Sequence, residues 1–443
     1  MTQLLLQETN FVNFLGRYAY VGEGRHGFQA IAVTEHDEPQ AVIGSYLQKL
    51  AYPENFASFQ KTRELTEAYE HAGNVLSLQL RGEYLYTAKG KEGIEIYDVA
   101  NIDNKAFAER MVSAPVSPLG QRFSVKTRDA RWIASPTTLG VDPARQRDPE
   151  NEEQPIHPLY AYLYVADAQE GLILINAATL LDGDPRNNFL KRAVAFNPEG
   201  ILNGATFVVT AGNYAYVSCD KGVVIVDIDR PLKPEVISVI PLKGAGHTAI
   251  QFRYLFACDA EGLKVIDITD VKKPAVKAAV PLSGARDIYL ARTYAYIAAG
   301  ARGLAMVDIE RPEHPASPKF CTLVSDAYAV RIGMTNASTF AYVADGRNGL
   351  RVLQLTSPVR TEGLWGFSPE PEPELIATFK TRGEAIALSK GLDRDRAVDE
   401  SGNQLAVFGR RGARPFSLGE MQKLYMRNGQ LYTVSNTPPG RRQ

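Results

Sequence analysis

The chain has 443 residues, of which 50 are acidic and 49 are basic, so its formal charge is −1. This balance gives no electrostatic reason to expect binding to nucleic acid or to an anionic membrane. A hydrophobic content of 45% suits a globular protein, and no apolar stretch reaches transmembrane length. The segment Met1–Gln7 has no basic region and too short an apolar core for a signal peptide. We therefore expect an intracellular protein or one from which a leader has been removed.

A short pattern occurs seven times: aromatic, any residue, aromatic, any residue, small residue. Its copies begin at Tyr18, Tyr84, Tyr162, Tyr214, Tyr254, Tyr294 and Phe340. The small positions are Gly22, Ala88, Ala166, Ser218, Cys258, Ala298 and Ala344. A period of two places the three positions on one face of a β-strand. The intervening residues are also apolar, which predicts strands buried on both faces between stacked sheets.

Each copy continues with a tight turn and a second apolar strand. The turns contain Gly27, Gly93, Gly171, Gly222, Gly262, Gly303 and Gly349, which predicts a backbone with positive φ or a bulge. The second strand ends near a polar residue in most copies: Asp98, Asn176, Asp227, Asp267, Asp308 and Gln354. Because these residues recur, we interpret the strand-end aspartates as structural.

The full unit contains four short strands with a period near 40 residues in the central copies, which is typical of a β-propeller blade. No helical segments separate the copies, which argues against a parallel α/β fold. A parallel β-helix is the alternative, although its coils are usually shorter. We interpret residues 1–443 as a single all-β propeller domain of four-stranded antiparallel blades.

The run Val223–Asp227 (VVIVD) and its counterpart Leu263–Asp267 (LKVID) resemble the LVIVD-repeat family. The resemblance covers roughly residues 1–380 and is strongest over 205–320. It weakens in the first copy, where Ala32 replaces the strand-end aspartate, and in the seventh, where Gln354 does. It implies a β-propeller of a kind common on bacterial and archaeal secreted or cell-surface proteins, sometimes joined to enzymatic or electron-transfer modules. A surface or secreted location follows only if a leader was removed. The family has no agreed catalytic residues to carry over.

The C-terminal segment predicts a degenerate eighth blade. Glu384–Ser389 and Gln404–Phe408 are typical of strands, and Lys423–Met426 with Gln430–Val434 predicts a hairpin. Thr2–Gln7 would pair into this last blade and cover both sheet edges. Seven blades with a C-terminal hairpin appendage are the alternative, and the chain could also be a fragment of a longer protein.

Three insertions interrupt the repeats. The apolar spacing of Glu54–Ala72 predicts an amphipathic helix within an insertion at 53–73, lying on the ring or acting as a lid or partner-binding element. The segment 142–158 is rich in charge and proline and predicts a long solvated loop. Trp365–Glu374 predicts an extended stretch, in which Trp365 and Phe367 pack locally or contact a partner.

Three cysteines do not make a disulfide framework, and no Cys-x-x-Cys pair occurs. Covalent c-type haem is therefore not expected. Cys258 occupies the small position of its copy, which packing explains. Cys219 lies one position later and should point to the opposite face, so the two should not pair.

Signatures of serine hydrolases, zinc proteases, P-loop enzymes and dinucleotide-binding folds are absent, and we assign no catalytic residue. The candidate site is therefore geometric, because loops around the opening of a propeller share one face. Turn loops supply Glu23, Arg25, Asp167, Asp259 and Asp345, and loops between blades supply His247, Arg286, Asp287 and Asp326. We predict a ligand-binding group of His247, Arg286, Asp287, Asp326 and Asp259.

These carboxylates could hold Ca²⁺ or Mg²⁺, whereas the ordinary role of a turn aspartate is to bind its own backbone. We therefore expect no obligatory cofactor. The leading hypothesis is a non-enzymatic module that binds or scaffolds a protein. The alternatives are a metal- or ligand-binding hydrolase or lyase using His247, Arg286 and Asp287, and an accessory subunit of an electron-transfer complex. The sequence identifies neither the partner nor the oligomeric state.

Overall fold

The structure is a computed structural model of the whole chain. It describes 73–98 (except 82–83), 124–136, 157–178, 190–357 (except 335–337) and 360–389 with short gaps, plus short segments within 18–32, 67–69 and 405–431. The chain divides into two compact units. The first unit combines Met1–Leu76 with Lys243–Gly391, and the second combines Ser77–Leu242 with Leu392–Gln443. The single-domain interpretation stays a prediction.

The strands up to the middle of the chain are β1 (Tyr18–Gly22), β2 (Phe28–Ala32), β3 (Glu67–Tyr69), β4 (Ser77–Arg81), β5 (Tyr84–Ala88), β6 (Ile94–Asp98), β7 (Ser124–Val125), β8 (Ala130–Ala134), β9 (Tyr162–Asp167), β10 (Gly171–Asn176), β11 (Lys191–Phe196), β12 (Phe207–Ala211), β13 (Tyr214–Cys219), β14 (Gly222–Asp227) and β15 (Glu235–Ile240). Two short 3₁₀ helices lie at Pro158–Ala161 and Pro198–Gly200.

The remaining strands are β16 (Thr248–Gln251), β17 (Tyr254–Cys258), β18 (Gly262–Asp267), β19 (Ala275–Pro281), β20 (Asp287–Ala291), β21 (Tyr294–Ala298), β22 (Leu304–Asp308), β23 (Lys319–Cys321), β24 (Ala329–Met334), β25 (Thr339–Ala344), β26 (Leu350–Thr356), β27 (Glu374–Phe379), β28 (Ala387–Leu388), β29 (Leu405–Ala406), β30 (Arg410–Arg411), β31 (Arg414–Pro415), β32 (Met426–Arg427) and β33 (Gln430–Leu431). None of the helices in the described part of the chain has the length and apolar character that a membrane crossing needs.

The protein is an all-β propeller of four-stranded antiparallel blades. Six blades are built from consecutive strands: β4–β7, β8–β11, β12–β15, β16–β19, β20–β23 and β24–β27. A further four-stranded sheet is composite, because β28 joins β1–β3 in the order β28-β1-β2-β3. Each of the seven repeats thus lies in a four-stranded sheet. Strands β29–β31 and the pair β32–β33 form two small separate sheets.

The prediction of an eighth blade is wrong. Within Glu384–Ser389, which was assigned to that blade, β28 pairs antiparallel with β1, and Leu388 lies opposite Val21. The reason is physical: the free edge of β1 needs a partner, and a strand that follows the seventh repeat provides it. The sheet of the first repeat is therefore completed from the C-terminal side. Thr2–Gln7, the strand predicted to do the equivalent from the N-terminus, lies outside the described residues.

The insertions are described only in part. Glu67–Tyr69, which lies within the predicted helix, forms β3 and pairs with β2, while 53–66 lies outside the described residues. Most of 142–158 and both Trp365 and Phe367 also lie outside them. The neighbouring segment 368–370 is attached to the sheet β20–β23, because the Ser368 and Thr293 hydroxyls are 2.6 Å apart and Glu370 pairs with Lys319.

The second strand of each blade forms the centre of its core, as the repeat predicts. Strands β5, β9 and β17 are buried at every position. The small residues of the described copies from Ala88 to Ala344 have no exposed surface, which lets a neighbouring sheet pack closely at that depth. Cys219, Cys258 and Cys321 are buried free thiols, and burial raises the pKa of each.

The strand-end aspartates are structural, in agreement with the prediction. The Oδ1 atoms of Asp227, Asp267 and Asp308 each accept a hydrogen bond from the backbone N–H two residues later, at 2.8–2.9 Å. Each side chain thereby closes an Asx turn that ends the strand and starts the following loop. The same register recurs across the blades, because each of these residues lies opposite the first aromatic of its repeat.

The repeat glycines are needed for a close approach of the fourth strand as well as for their backbone angle. Gly349 has φ +83°, and a Cβ built on it would lie 2.2 Å from the Phe379 carbonyl oxygen at the end of β27. The other described glycines of this position also have positive φ and a similar clash with the fourth strand. Any side chain here would push the outer strand away from the blade.

We expect Gly349→Ala to lower the free energy of unfolding by roughly 3 kcal/mol, about 1 from the positive φ and about 2 from overpacking. The control is Gly244→Ala in the same unit, where φ is +64° but the nearest atom to a Cβ lies 3.5 Å away. The control should lose only about 1 kcal/mol. Urea unfolding followed by circular dichroism measures both. Equal losses would contradict the close-approach argument.

Candidate functional site

The candidate residues lie in the Lys243–Gly391 segment, where turns and interblade loops share one end of the sheets. Gly300, in the turn between β21 and β22, exchanges backbone hydrogen bonds of 3.0 and 3.1 Å with Ala327 in the loop before β24. Gly346 likewise exchanges two backbone hydrogen bonds, of 2.9 and 3.1 Å, with Ala385 in the segment before β28. In this unit the turns within blades therefore lie beside the loops between blades, as the sequence analysis expects for a propeller.

Asp287 is the centre of a network that connects three consecutive blades. It is the first residue of β20 and is 1% exposed. His247, just before β16, lies with its Nδ1 2.8 Å from Asp287 Oδ1. The other carboxylate oxygen accepts hydrogen bonds from the Val330 N–H at 2.9 Å and from Arg331 Nη1 at 2.6 Å, both on β24. The two oxygens thus bind donors from the blade on either side.

The network keeps Asp287 ionised. Burial alone would raise the pKa of its carboxyl group, but the Arg331 charge, the contact with His247 and the Val330 N–H outweigh burial and lower the pKa to about 2. A buried carboxylate is tolerated only when paired and hydrogen-bonded in this way. Asp287 is therefore a charged residue that links neighbouring blades, and it is not available as a proton acceptor.

Arg286 and Asp326 form a second, more exposed pair at the same end. Arg286 Nη1 lies 3.2 Å from Asp326 Oδ1, and the two side chains are 39% and 38% exposed. The Arg286 guanidinium also stacks on Tyr328, 3.9 Å from the ring centroid. Gly346 leaves room for this arrangement, since a Cβ there would lie 2.3 Å from Asp326 Oδ2. Stacking and pairing together fix the position of an Arg that still faces solvent.

Asp259 has the ordinary role of a turn aspartate. Its Oδ1 accepts hydrogen bonds from the N–H groups of Glu261 and Gly262, each at 2.9 Å. Its Oδ2 lies 3.7 Å from Lys264 Nζ. Asp259 and Asp287 both raise the pKa of the Cys258 thiol, after the larger effect of burial. The predicted group thus separates into a His247–Asp287 pair, an Arg286–Asp326 pair and Asp259 in its own turn.

Asp167 is bound by its own turn in the same way, whereas Asp345 binds the loop that precedes its blade. Asp167 Oδ1 accepts hydrogen bonds from the N–H groups of Gln169 and Glu170, both at 2.9 Å. Asp345 Oδ1 accepts from those of Ser325 and Asp326. Arg25 is exposed, and Glu23 lies outside the described residues. Within the described ranges, no group of three or more His, Cys, Asp or Glu side chains is placed to hold a metal ion, and a Ca²⁺ or Mg²⁺ site stays a prediction.

Two features of this end were not predicted. The first is the contact of Arg331 with Asp287. Arg331 is a single cation in the otherwise apolar strand β24, and no pattern in the sequence indicates that it pairs with Asp287. The second is an ion pair within the turn of a repeat. It joins the residue that follows the repeat's small position to the second residue after its turn glycine. This pair is Asp259–Lys264 in one blade, Asp345–Arg351 in another and, with charges reversed, Lys89–Glu95 in a third.

We expect Asp287→Asn to lower the free energy of unfolding at pH 7 by roughly 3 kcal/mol, because it removes the counter-charge of Arg331, whose side chain is only 14% exposed. The pH dependence is a second readout. Since the folded-state pKa is lowered from 3.8 to about 2, about 2 kcal/mol of stability present above pH 4 is lost as the pH falls toward 2. The variant should lack this loss.

Asp326→Asn is the matched control, because its ion pair is more than one-third exposed and such pairs contribute about 0–1 kcal/mol. Urea unfolding at pH 7, 4, 3 and 2 measures all three proteins. A similarly small loss of unfolding free energy in both variants would contradict the conclusion that Asp287 links neighbouring blades.

The comparisons with known proteins concern the repeat and the fold. The LVIVD repeat family model matches residues 72–111, 204–238, 284–324 and 338–357. No curated protein matches the chain. A solved structure from Bacteroides fragilis, provisionally named a 6-phosphogluconolactonase, aligns with a TM-score of 0.51 at 11% identity over 84% of this chain and 98% of that one.

The extracellular domain of a provisionally named hybrid two-component system from B. thetaiotaomicron aligns with a TM-score of 0.41 at 16% identity, over 70% of this chain and 36% of that one. At 11% identity the likeness to the B. fragilis structure concerns the fold alone. The four matched segments include the blades that contain Asp98, Asp227 and Asp308 at their strand ends. The chain is thus similar to the LVIVD repeat family at these four segments.

Proposed function

We propose that this chain is a non-enzymatic β-propeller module that binds a protein partner through one end of its Lys243–Gly391 segment. The proposal rests on the hydrogen bonds that the predicted site residues already make within the protein. Asp287 is buried, ionised and held by three donors, and Asp259 is bound by its own turn. Groups engaged in this way stabilise a scaffold rather than perform acid–base chemistry.

The surface that remains for a partner is rich in fixed, exposed charge. We call it the loop face and define it by His247, Arg286, Asp326, Tyr328, Arg347 and Glu384. Arg347 is 86% exposed and pairs with Glu384 at 2.8 Å, while Arg286 is held by Asp326 and Tyr328. Arg and Tyr are enriched among the residues that contribute most to protein interfaces, and a positioned Arg loses less conformational entropy on binding.

The mixed charge of the loop face suggests the chemistry of the partner. Each exposed Arg is paired with a carboxylate, so a partner that offers one sign of charge alone would meet repulsion from half of the face. A protein surface with interspersed carboxylates and guanidinium groups fits better, because complementary charges set specificity and the rate of association. We therefore expect binding that weakens at high ionic strength.

The test is affinity capture from the source organism with wild-type protein and with Arg286→Ala/Arg347→Ala. We expect the wild type to enrich a specific protein and the double variant to lose at least tenfold of it, since each truncated anchor costs about 1 kcal/mol or more. The control is Arg230→Ala, which removes an exposed pair with Glu235 in the other unit. Capture that is equal for all three proteins would contradict the proposal.

A hydrolase or lyase is the second candidate, and the His247–Asp287 pair is the specific observation in its favour. An imidazole oriented by a buried carboxylate is a common arrangement for a general base. Assays of purified protein against ester, lactone and phosphoester panels, with and without added Ca²⁺ or Mg²⁺, test it. Turnover that is lost in His247→Gln while the protein stays folded would replace the binding proposal with this one.

A further inference from the structure

The turns that join the first and second strands of the blades lie at the opposite end of the sheets from the loop face, and one of them presents a bare aromatic ring. Phe252 and Arg253 form the two-residue turn between β16 and β17, in which Gln251 lies opposite Tyr254. Phe252 is 94% exposed, whereas the other exposed large apolar residues in the described part of the chain are 37–58% exposed. The Phe252 ring therefore contributes almost nothing to packing within the protein.

The backbone of Phe252 is also strained. Its φ is +53°, in the left-handed region that is unfavourable for any residue with a Cβ but open to glycine. The equivalent turn between β12 and β13 has Gly212 at this position, with φ +55° and no atom within 4 Å of a Cβ placed on it. Glycine would thus suit the turn, and no packing gain within the protein offsets the strain at Phe252. Such uncompensated strain points to a role outside the fold.

A second residue of the same kind lies on the neighbouring blade. Arg292 is the first residue of the turn between β20 and β21, in which Ala291 lies opposite Tyr294, and its φ is also +53°. Among the residues that the structure describes, its guanidinium group makes no ion pair and stacks on no ring. A bare aromatic ring and an unpaired cation thus occupy the same turn position in adjacent blades. We call Phe252 and Arg292 the tip pair.

The two turns are held in a fixed relation to each other. The Gln251 side-chain amide, at the end of β16, donates to the Arg292 carbonyl at 2.9 Å. On the other side of Phe252, the Tyr254 hydroxyl donates to Glu313 Oε1 at 2.8 Å, which fixes the start of β17. The tip pair therefore stands on rigid supports, which lowers the conformational entropy that is lost on binding.

The tip pair is complementary to itself. The face of an aromatic ring attracts a guanidinium group, yet Phe252 and Arg292 do not stack on each other within the chain. When two copies meet about a two-fold axis, every contact between two residues occurs twice, once in each direction. A single symmetric contact can therefore place each Phe252 ring on Arg292 of the other copy. It would cover both rings and give both cations a partner.

Other occupants fit this surface less well. Asp270, Glu310 and Glu313 lie in the loops at the same end of the sheets, so an anionic bilayer would be repelled beside the cations that attract it. One phenylalanine ring is also smaller than a single acyl chain, which alone gives only marginal membrane binding. An unrelated protein would have to supply both a cation and a ring, whereas a second copy of this chain already has both.

We propose that the chain self-associates into a two-fold dimer through the tip pair, with Phe252 of each copy stacked on Arg292 of the other. Two hairpin turns make a small contact area, so the dimer is weak, with a Kd of about 10–100 μM. The inference goes beyond the protein binding proposed for the loop face, which lies at the other end of the sheets.

The experiment is sedimentation velocity of the full chain from about 5 to about 500 μM, a range that spans the expected Kd. We expect monomer at the lowest concentration and dimer at the highest. Phe252→Gly removes the ring and leaves the residue that the β12–β13 turn has. It should weaken association at least tenfold, while the urea midpoint of unfolding stays equal or rises because the strain is relieved. Loss of the dimer then cannot be attributed to loss of the fold.

The exchange Phe252→Arg/Arg292→Phe tests the pairing itself. Both positions have φ +53°, so the exchange leaves the backbone demands unchanged and keeps one ring and one cation on each copy. Phe252→Arg alone should weaken association at least tenfold, since it brings like charges together, and the double variant should recover most of this loss. Val276→Ala is the matched control, because it shortens a 52% exposed apolar residue on β19 of the same unit. It should leave the Kd unchanged.

Three results would overturn the proposal. The first is a chain that stays monomeric at the highest concentration. The second is association of equal strength in the wild type, in Phe252→Gly and in Val276→Ala. The third is a monomeric chain that co-sediments with phosphatidylcholine–phosphatidylserine vesicles and loses this binding in Phe252→Gly, which would assign the ring to a lipid surface.

Discussion

Everything in this fold depends on strands that are buried on both faces. The second strand of a blade, such as β9 or β17, has no exposed position. A single sheet therefore cannot bury both faces of this strand by itself. Each blade must lie between two others or expose a continuous apolar face. The bulky, bulky, small order within the strand then determines where neighbouring sheets approach closely, and the glycine in the next turn determines how closely the fourth strand follows. Fold and stability are therefore properties of neighbours rather than of single repeats.

The first repeat illustrates the same dependence. Its middle strand has to be covered, and the strand that covers its edge comes from beyond the seventh repeat. A sheet that joins distant parts of the chain requires a long loop to close, which costs conformational entropy before any contact compensates for it. Asp287 acts in a related way at the level of charge, since its two oxygens bind donors from the preceding and the following blade.

The sequence was a good guide wherever the pattern repeats and a poor one wherever it does not. The strand positions, the buried small residues, the positive φ of the turn glycines and the Asx turns at Asp227, Asp267 and Asp308 all follow from residues that recur at fixed spacing. The eighth blade was wrong because a short strand such as Ala387–Leu388 has no pattern that tells which sheet it joins.

The candidate site was predicted only in part for the same reason. Loop geometry identified the end of the sheets at which His247, Arg286 and Asp287 would meet. It could not assign partners, because the distance between residues in different blades depends on how the sheets twist and pack. Arg331 contacts Asp287 across 44 positions of sequence, and nothing in the strand that contains it indicates this.

The ion pair within the turn has a consequence for how such a chain can change over generations. Lys89–Glu95, Asp259–Lys264 and Asp345–Arg351 each lie within a single hairpin, so duplication or exchange of that hairpin carries both charges together. Either polarity is then equally acceptable, which is what the reversed pair in one blade displays. A contact such as His247–Asp287–Arg331 has no such freedom, since copying one of its blades would leave a buried charge without its partner. Duplication of whole blades is thus easy in some parts of this propeller and costly in others.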